Sequence, residues 1–347
     1  MKKSLLAVAV LGAFAGAASA QSSVTLFGVV DLSANQIKNG ATTAKYLASN
    51  QLNSNRLGFR GVEDLGGGLT AGFWLEAGMN NATGNAGGGS GNVAPSETAA
   101  SSQLFNRRST VSLISKMGEV RLGRDYDPSF WNTVFFDVNG ANGLGQGLNL
   151  ISSLGSGATT IARTNNSIAY FLPGGLGGLY GQFQVAAPEG APGNNYRGGR
   201  LGFAAGPFDV AAGYGMTKTV GGDFKMQNVG ASYDFGVMKL LGYYNRNSYG
   251  VLKQNVYEVS GSVPLGQGEF RASYARADAS GGGTDANDAR MASVEYIYNL
   301  SKRTALYTTY AKITNKGNAA FSILPGSLGS AKGAESSGYN FGVRHSF

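Results

Sequence analysis

Residues Leu69–Ala77 read LTAGFWLEA, with an apolar or small side chain at every second position. Leu69, Phe73 and Leu75 share one face of an extended chain, whereas Glu76 falls on the other. This period of two is the pattern of a β-strand with one apolar face. The same alternation recurs along the chain at 179–185, 208–216, 229–235, 294–298 and 339–347. We therefore predict an all-β protein.

Two kinds of connection separate these strands. The short ones are rich in Gly, Pro, Asn or Asp, the residues of tight turns, and lie at 63–67, 116–118, 173–178, 206–207, 234–236, 264–268 and 299–302. The others are longer and polar, as at 80–102, 126–160 and 314–335. Seven turns give eight hairpin-like units and hence 16 strands. We predict a 16-stranded antiparallel transmembrane barrel with short periplasmic turns and long extracellular loops.

A soluble β-sandwich or a β-propeller is the alternative to a barrel. A sandwich of 347 residues would need two domains, yet the composition shows no break. A propeller would repeat every ~40 residues with blade signatures, and no such repeat is visible. The alternating apolar face is rich in Tyr, Phe, Gly and Ala, which suits a lipid-facing surface with aromatic girdles.

The first 20 residues read as a secretory signal. Lys2 and Lys3 precede an apolar run, and Ala18-Ser19-Ala20 forms a small-residue cleavage site. An N-terminal anchor is the alternative, but the run is too short to span a bilayer, which takes about 20 residues. We expect cleavage of residues 1–20, a single barrel domain at 21–347, and location in the outer membrane of a Gram-negative bacterium.

The residue types exclude most enzyme chemistry. The chain has no cysteine, and His345 is its only histidine. A serine nucleophile needs a nearby base and a metal needs several ligands, so we predict neither an enzyme, a metal site nor a cofactor. The formal net charge is +8, but the arginines are scattered singly, and nucleic-acid binding is not expected.

The alternation also predicts which charged side chains face the lumen. Arg56 and Arg60 alternate with Leu57 and Phe59, so they face the lumen, where a charge avoids the ~2–4 kcal/mol cost of the lipid face. The other predicted lumen cations are Arg121, Arg124, Arg163, Arg200, Lys239, Arg271 and Arg344. Few acids oppose them, namely Glu76, Asp31 and Asp209. We expect a lumen that favours anions, in which most of these arginines brace the wall and a few contact ions.

The connection 126–160 carries Trp131, Phe135 and Phe136, more apolar surface than a solvated loop needs. We expect this third loop to fold into the barrel and narrow it. Its acids would then face the arginines and set up a transverse field across the opening. Those acids are Asp125, Asp127 and Asp137.

In the order and spacing of its short motifs, the mature chain resembles the general diffusion porins, most closely those of β-proteobacteria and neisseriae. The segments that carry the resemblance are 23–31, 54–61, 63–69, 105–108, 120–124, 166–170, 300–304 and 342–347. The resemblance implies a homotrimer, and the net positive charge of this exported chain leads us to expect contact with outer-membrane lipid and lipopolysaccharide. The resemblance also implies an inward third loop and a terminal Phe347 read by the barrel-assembly machinery.

The resemblance further implies a basic constriction cluster. Its members would be Arg56 in NRLGF, Arg107 in FNR and Arg163 before NNS, with Glu76 in WLE set among them. Arg108 follows Arg107 where relatives carry one basic residue. Strict alternation would place the two on opposite faces and leaves open which of them lines the pore.

These observations predict a passive pore for small hydrophilic solutes and ions that prefers anions. The alternative is a substrate-specific channel for an anionic or sugar-like solute, which would need a saturable site. A barrel enzyme or a plugged structural barrel is a third possibility, and the single histidine argues against the enzyme.

Overall fold

The computed structural model describes residues 23–86, 103–188, 195–323 and 331–347. The predicted leader, residues 1–20, lies outside the described residues and stays a prediction. Within the described ranges, no helix is long and apolar enough to cross a membrane.

One closed antiparallel sheet forms the molecule. Its strands are β1 (Ser23–Asn39), β2 (Thr42–Ser49), β3 (Arg56–Gly66), β4 (Leu69–Asn80), β5 (Asn85–Ala86), β6 (Arg108–Ser115), β7 (Gly118–Tyr126), β8 (Arg163–Phe171), β9 (Leu179–Ala186), β10 (Asn195–Ala205), β11 (Phe208–Thr219), β12 (Gly222–Asp234), β13 (Lys239–Tyr249), β14 (Leu252–Leu265), β15 (Gly268–Ser280), β16 (Ala289–Asn299), β17 (Thr304–Asn315) and β18 (Glu335–Ser346). β18 pairs with both β17 and β1, so the sheet closes on itself.

Sixteen strands form the wall, as predicted. β2 and β3 both pair with β1, β2 along Leu32–Asn39 and β3 along Ser23–Val29, so together they form one barrel strand. β5 has two residues and only extends the hairpin of β4. The 18 strands of the sheet therefore form a 16-stranded barrel.

Asp31 holds the break between β2 and β3. Its side chain is buried, and Oδ2 accepts hydrogen bonds from the amides of Leu52 at 2.8 Å and Asn53 at 2.6 Å. The Tyr307 hydroxyl donates to Oδ1 at 2.5 Å. Asp31 was expected among the acids that oppose the lumen cations. The structure corrects this, because its oxygens are occupied by the wall itself.

The two faces of the wall differ as the alternation predicts. Leu122 and Phe341 on the outer face are 44% and 64% exposed, although both are large and apolar. Asn245 and Asn340, which alternate with the outward-facing residues of their own strands, are buried inside the barrel. The chain thus presents apolar side chains outward and polar side chains inward.

The connections at the two ends are of unequal length. All seven predicted short turns lie between consecutive strands at one end. At the other end, however, the links at 40–41, 220–221 and 250–251 are also only two residues long, which corrects the expectation of uniformly long loops. There the strands themselves extend further. The predicted loops 80–102 and 314–335 lie partly outside the described residues.

Residues 127–162, which we call the inward loop, connect β7 to β8 and fold inside the barrel. The loop carries helix α1 (Pro128–Phe135) and a short 3-10 helix (Gly147–Leu150). Phe130 is 2% exposed and Phe136 is 1% exposed. The amide of Asp127 donates to the carbonyl of Ala162 at 2.9 Å and closes the base of the loop.

The pore constriction and its charged lining

The inward loop leaves an opening of about 550 Å³ between itself and the wall. Three arginines from β3, β8 and the segment before β6 line it, and we call them the basic cluster: Arg56, Arg107 and Arg163. The structure thus brings together the three residues that the motifs singled out. Their role in ion selection stays a prediction.

Glu76 on β4 ties this cluster to the wall. Its Oε1 accepts a hydrogen bond from Nε of Arg107 at 2.5 Å and lies 3.6 Å from the guanidinium of Arg56. Its Oε2 accepts a hydrogen bond from the Trp74 indole at 3.0 Å. One carboxylate therefore serves two guanidiniums, and the cluster keeps a net positive charge.

Tyr126, at the end of β7, positions Arg107 and Arg163. Its hydroxyl accepts a hydrogen bond from the Arg107 guanidinium at 3.1 Å. The Arg163 guanidinium lies 4.2 Å from the centre of its ring, within cation–π range. The aromatic side chain therefore fixes two cations whose mutual repulsion would otherwise separate them.

Arg107 and Arg108 both lie inside the barrel, so the expectation of opposite faces is wrong. Arg107 precedes β6 in a bend, where strict alternation does not apply. Arg108 begins the strand on the same face as the buried Thr110, and its Nε donates to Thr110 Oγ1 at 3.1 Å. Arg107 lines the opening, whereas Arg108 lies nearer the turns, with its guanidinium 4.5 Å from the Trp74 ring.

Arg60 and Arg121 belong with Arg108 to a second basic region. The three guanidiniums line a separate cavity of about 370 Å³ toward the short turns. Arg60 stacks 5.2 Å from the Trp74 ring, and Arg121 lies 4.0 Å from the Phe171 ring. This region continues the positive lining beyond the constriction.

Lys239 and Arg271 line the same opening as the basic cluster, from β13 and β15. Arg271 is held by two carboxylates, Glu269 at 2.5 Å and Glu295 at 3.2 Å. Both cations were predicted to face the lumen, and the structure places them there.

Arg200 holds the inward loop in place. Its Nε donates to Asn132 of α1 at 2.5 Å, and its terminal nitrogen donates to the Tyr180 hydroxyl at 3.2 Å. Tyr180 in turn donates to Asp209 at 2.5 Å. Arg200 and Asp209, both predicted lumen charges, are therefore bound to the wall and the loop rather than exposed to the opening.

Arg124 lies beside a β-bulge, where the register of β7 against β8 shifts between Gly123 and Asp125. It pairs with Ser109 in the regular register of β7 against β6, two residues from the outward-facing Leu122. Its guanidinium donates to the Asn106 carbonyl at 2.6 Å and to Asn165 Oδ1 at 2.8 Å. The structure thus places Arg124 away from the opening.

Two of the three predicted loop acids, Asp125 and Asp127, take positions other than those expected. Asp125 lies on β7, where Arg121 binds it at 2.6 Å. Asp127 is fully buried at the start of α1, and burial raises its pKa well above the usual range. Only Asp137 lines the opening. The field across the opening therefore has fewer acids on the loop side than the sequence suggested.

Asp137 closes the inward loop and faces another carboxyl group. Its Oδ1 accepts from the amide of Asn139 at 2.8 Å and Oδ2 from the amide of Gly147 at 3.0 Å. Its side chain also hydrogen bonds to Glu258 on β14, and burial raises the pKa of Asp137. A hydrogen bond between two carboxyl groups requires a proton, so the pair carries less than two negative charges.

Glu258 and Glu295 were not predicted from the sequence. Both stand at inward positions of regular strands, where the alternation used for the arginines would have found them. Asp137, the partner of Glu258, lies on the inward loop far from it in sequence. Arg271, the partner of Glu295, stands directly opposite it on the neighbouring strand β15.

Phe347 follows β18 and pairs with Gly28 of β1, where the sheet closes on itself; we call this junction the seam. Its amide donates to the Gly28 carbonyl at 3.1 Å, and its carbonyl accepts from the Gly28 amide at 3.0 Å. Its ring lies over Gly28, where a β-carbon would collide with it. His345 faces outward beside Thr304, with 2.9 Å between Nδ1 and Oγ1.

The lining of the opening is positively charged overall. Among the described residues it contains five basic side chains and two acidic ones, and the acids are Asp137 and Glu269. Asp137 binds loop amides and Glu269 binds Arg271. The cations therefore dominate the electrostatics of the opening.

Comparison with known proteins agrees with this geometry. The family description Gram-negative porin matches residues 7–318. The chain is 38% identical to outer membrane porin protein 32 of Delftia acidovorans over the whole of both chains. The chain belongs to the Gram-negative porin family. It is also 30% identical to an outer membrane porin protein of Bordetella pertussis, again over the whole of both chains.

Solved porins share the fold. The anion-selective porin from Comamonas acidovorans superposes with a TM-score of 0.83 at 34% identity, covering 94% of this chain and 100% of the other. OmpT of Vibrio cholerae, described as a trimer form, superposes with a TM-score of 0.66 at 13% identity, covering 94% of this chain and 99% of the other. This porin is an outer-membrane protein and a passive diffusion pore, not an enzyme.

Proposed function

We propose that this porin prefers anions and that the basic cluster of Arg56, Arg107 and Arg163 sets the preference. The observation that carries the proposal is the lining of the opening, with five basic side chains against two acidic ones that are already bound. A narrow, positively lined passage with low-dielectric walls concentrates anions and repels cations. The 34% identical Comamonas acidovorans porin, described as anion-selective, supports the proposal.

The test is the zero-current potential of the purified porin in a planar bilayer under a KCl gradient. We expect the sign that shows chloride preference. Arg56→Gln, Arg107→Gln and Arg163→Gln should each weaken it, because each removes one cation from the opening. Arg276→Gln is the matched control, since Arg276 is exposed and paired with Asp278 at 2.5 Å. A cation-preferring wild type, or equal effects of all four variants, contradicts the proposal.

We further propose a homotrimer that contacts lipopolysaccharide and is inserted by the barrel-assembly machinery through the Phe347 end. The apolar outer wall, with Phe341 and Val259 exposed, supplies surface for lipid or for neighbouring subunits. The Vibrio cholerae OmpT with the same fold is described as a trimer. Chemical cross-linking of outer-membrane vesicles should give a ladder that ends at three subunits.

A further inference from the structure

The inward loop presents a strip of aromatic rings to the opening. Tyr126, Trp131 and Phe135 form this aromatic strip. The Tyr126 and Trp131 ring centres lie 5.0 Å apart, edge to face. Trp131 and Phe135 are stacked, with their ring centres 5.2 Å apart and 15° between their planes. The rings follow one another in sequence and in space, because Trp131 and Phe135 are four residues apart on α1 and so lie on one face.

Packing of the loop does not account for the exposure of Phe135. Tyr126 packs against Phe130, with 5.1 Å between their ring centres. The Arg200 guanidinium lies 5.0 Å from the centre of the Phe135 ring, yet about half of Phe135 stays uncovered. Phe130 and Phe136, on either side of the strip, are 2% and 1% exposed and hold the loop to the wall. Phe135 is 48% exposed and lines the opening. A large apolar side chain left exposed in a polar lumen points to a contact with something that passes through.

The strip meets the basic cluster at Tyr126. The Tyr126 hydroxyl accepts from Arg107, and the Arg163 guanidinium lies 4.2 Å from its ring. Arg107, Arg163, Trp131 and Phe135 line the same opening. An apolar π surface and a set of cations therefore stand side by side in one passage.

We propose that the constriction binds planar aromatic carboxylates, with the carboxylate at the basic cluster and the ring against Trp131 and Phe135. The inference rests on the proposed anion preference and names the solute class that this preference serves. The volume of about 550 Å³ accommodates a single-ring acid together with its water. A neutral sugar could stack on the rings but would gain nothing from the net positive charge of the basic cluster, so the geometry favours an aromatic anion.

The test is block of single-pore chloride current by benzoate, compared with cyclohexanecarboxylate. The two anions share charge and approximate size, and only benzoate has a flat π system. We expect benzoate to reach half-block at a roughly 2- to 12-fold lower concentration, the factor that aromatic pair energies correspond to. Phe135→Leu should remove this difference and Phe135→Tyr should keep it. Phe341→Leu, which removes a phenyl ring from the outer wall, should have no effect.

The wild-type comparison decides the inference without any variant. Equal half-blocking concentrations for the two anions overturn it, and so does a benzoate advantage that persists in Phe135→Leu. The KCl zero-current potential, measured on the same pores, separates the two proposals. Chloride preference without benzoate discrimination overturns only this inference, whereas loss of chloride preference overturns the proposed function.

Discussion

Arg107 donates a hydrogen bond to Glu76 across 2.5 Å, and the same carboxylate oxygen lies 3.6 Å from Arg56. Glu76 therefore offsets part of the positive charge at the constriction. We predict that Glu76→Gln increases chloride preference. One charge acting over 4 Å in water is worth about 1 kcal/mol, or roughly five-fold in ion occupancy. The zero-current potential under a KCl gradient measures the change.

Glu335→Gln is the control for this prediction. Glu335 pairs with Lys312 at 2.7 Å near the long-loop end, and both side chains are well exposed. Its removal should leave the potential close to that of the wild type, since surface pairs contribute little. A Glu76→Gln pore with unchanged or reduced chloride preference would show that Glu76 only positions the arginines.

Asn132 anchors α1 to the wall, and its loss should loosen the inward loop. Its Oδ1 accepts from Arg200 at 2.5 Å, and its Nδ2 donates to Asn228 Oδ1 at 2.9 Å. Asn132→Ala leaves two buried groups without these partners, at about 1–3 kcal/mol each. We expect a noisier and larger conductance, and liposome swelling with larger sugars than the wild type admits. Asn318→Ala, on an exposed loop, should match the wild type.

Asp137 and Glu258 should make loop attachment depend on pH. Burial raises the pKa of Asp137 above its ordinary 3.8, so the folded loop holds a proton that the unfolded chain would release. This contribution is fully present below pH 3.8 and is lost as pH rises through the raised pKa. We therefore expect the inward loop to become less firmly held as the solution is made alkaline.

Glu258→Gln tests this dependence. A glutamine can donate to Asp137 without a titratable proton, so the variant should flatten the pH response. Current noise recorded from acidic to alkaline pH measures it, with Glu269→Gln as a variant of the same charge change elsewhere on the lining. Identical pH profiles for wild type and Glu258→Gln would rule out the carboxyl pair as the cause.

Gly28 lies under the ring of Phe347 at the seam between β1 and β18. A β-carbon at this position would also approach the Arg56 carbonyl oxygen to 2.8 Å. We predict that Gly28→Ala destabilises the barrel by about 1–3 kcal/mol, the usual cost of overpacking. Heat-dependent mobility in gel electrophoresis measures the folded fraction. Gly242→Ala, where the new methyl group meets nothing within 4 Å, should leave the folded fraction unchanged.

Local sequence patterns predicted the strands of the barrel wall well because each strand separates lipid from a polar lumen. Phe73 faces outward and Trp74 inward. The same alternation of outward apolar and inward side chains is required along every strand, whatever its distant partners are. The seven short turns were predictable for the same local reason, since Gly and Pro supply their backbone geometry.

Features that depend on distant contacts could not be read from the sequence. The break between β2 and β3, residues 50–55, is rich in the turn formers Asn and Ser, but nothing in the sequence shows that the buried Asp31 holds it. The bend before β6 puts Arg107 inside together with Arg108. The pairing of Asp137 with Glu258 was not predictable, because Glu258 lies on a strand far along the chain.

The pairing of β1 with β18 has a consequence for biogenesis. Until the last residues arrive, both edges of the sheet carry unpaired amides and carbonyls that can bind other chains. A chain without β18 therefore cannot close its sheet, and we expect it to be prone to pairing with other chains. The hydrogen bonds between Gly28 and Phe347 join the two ends of the barrel wall only once the last strand is in place.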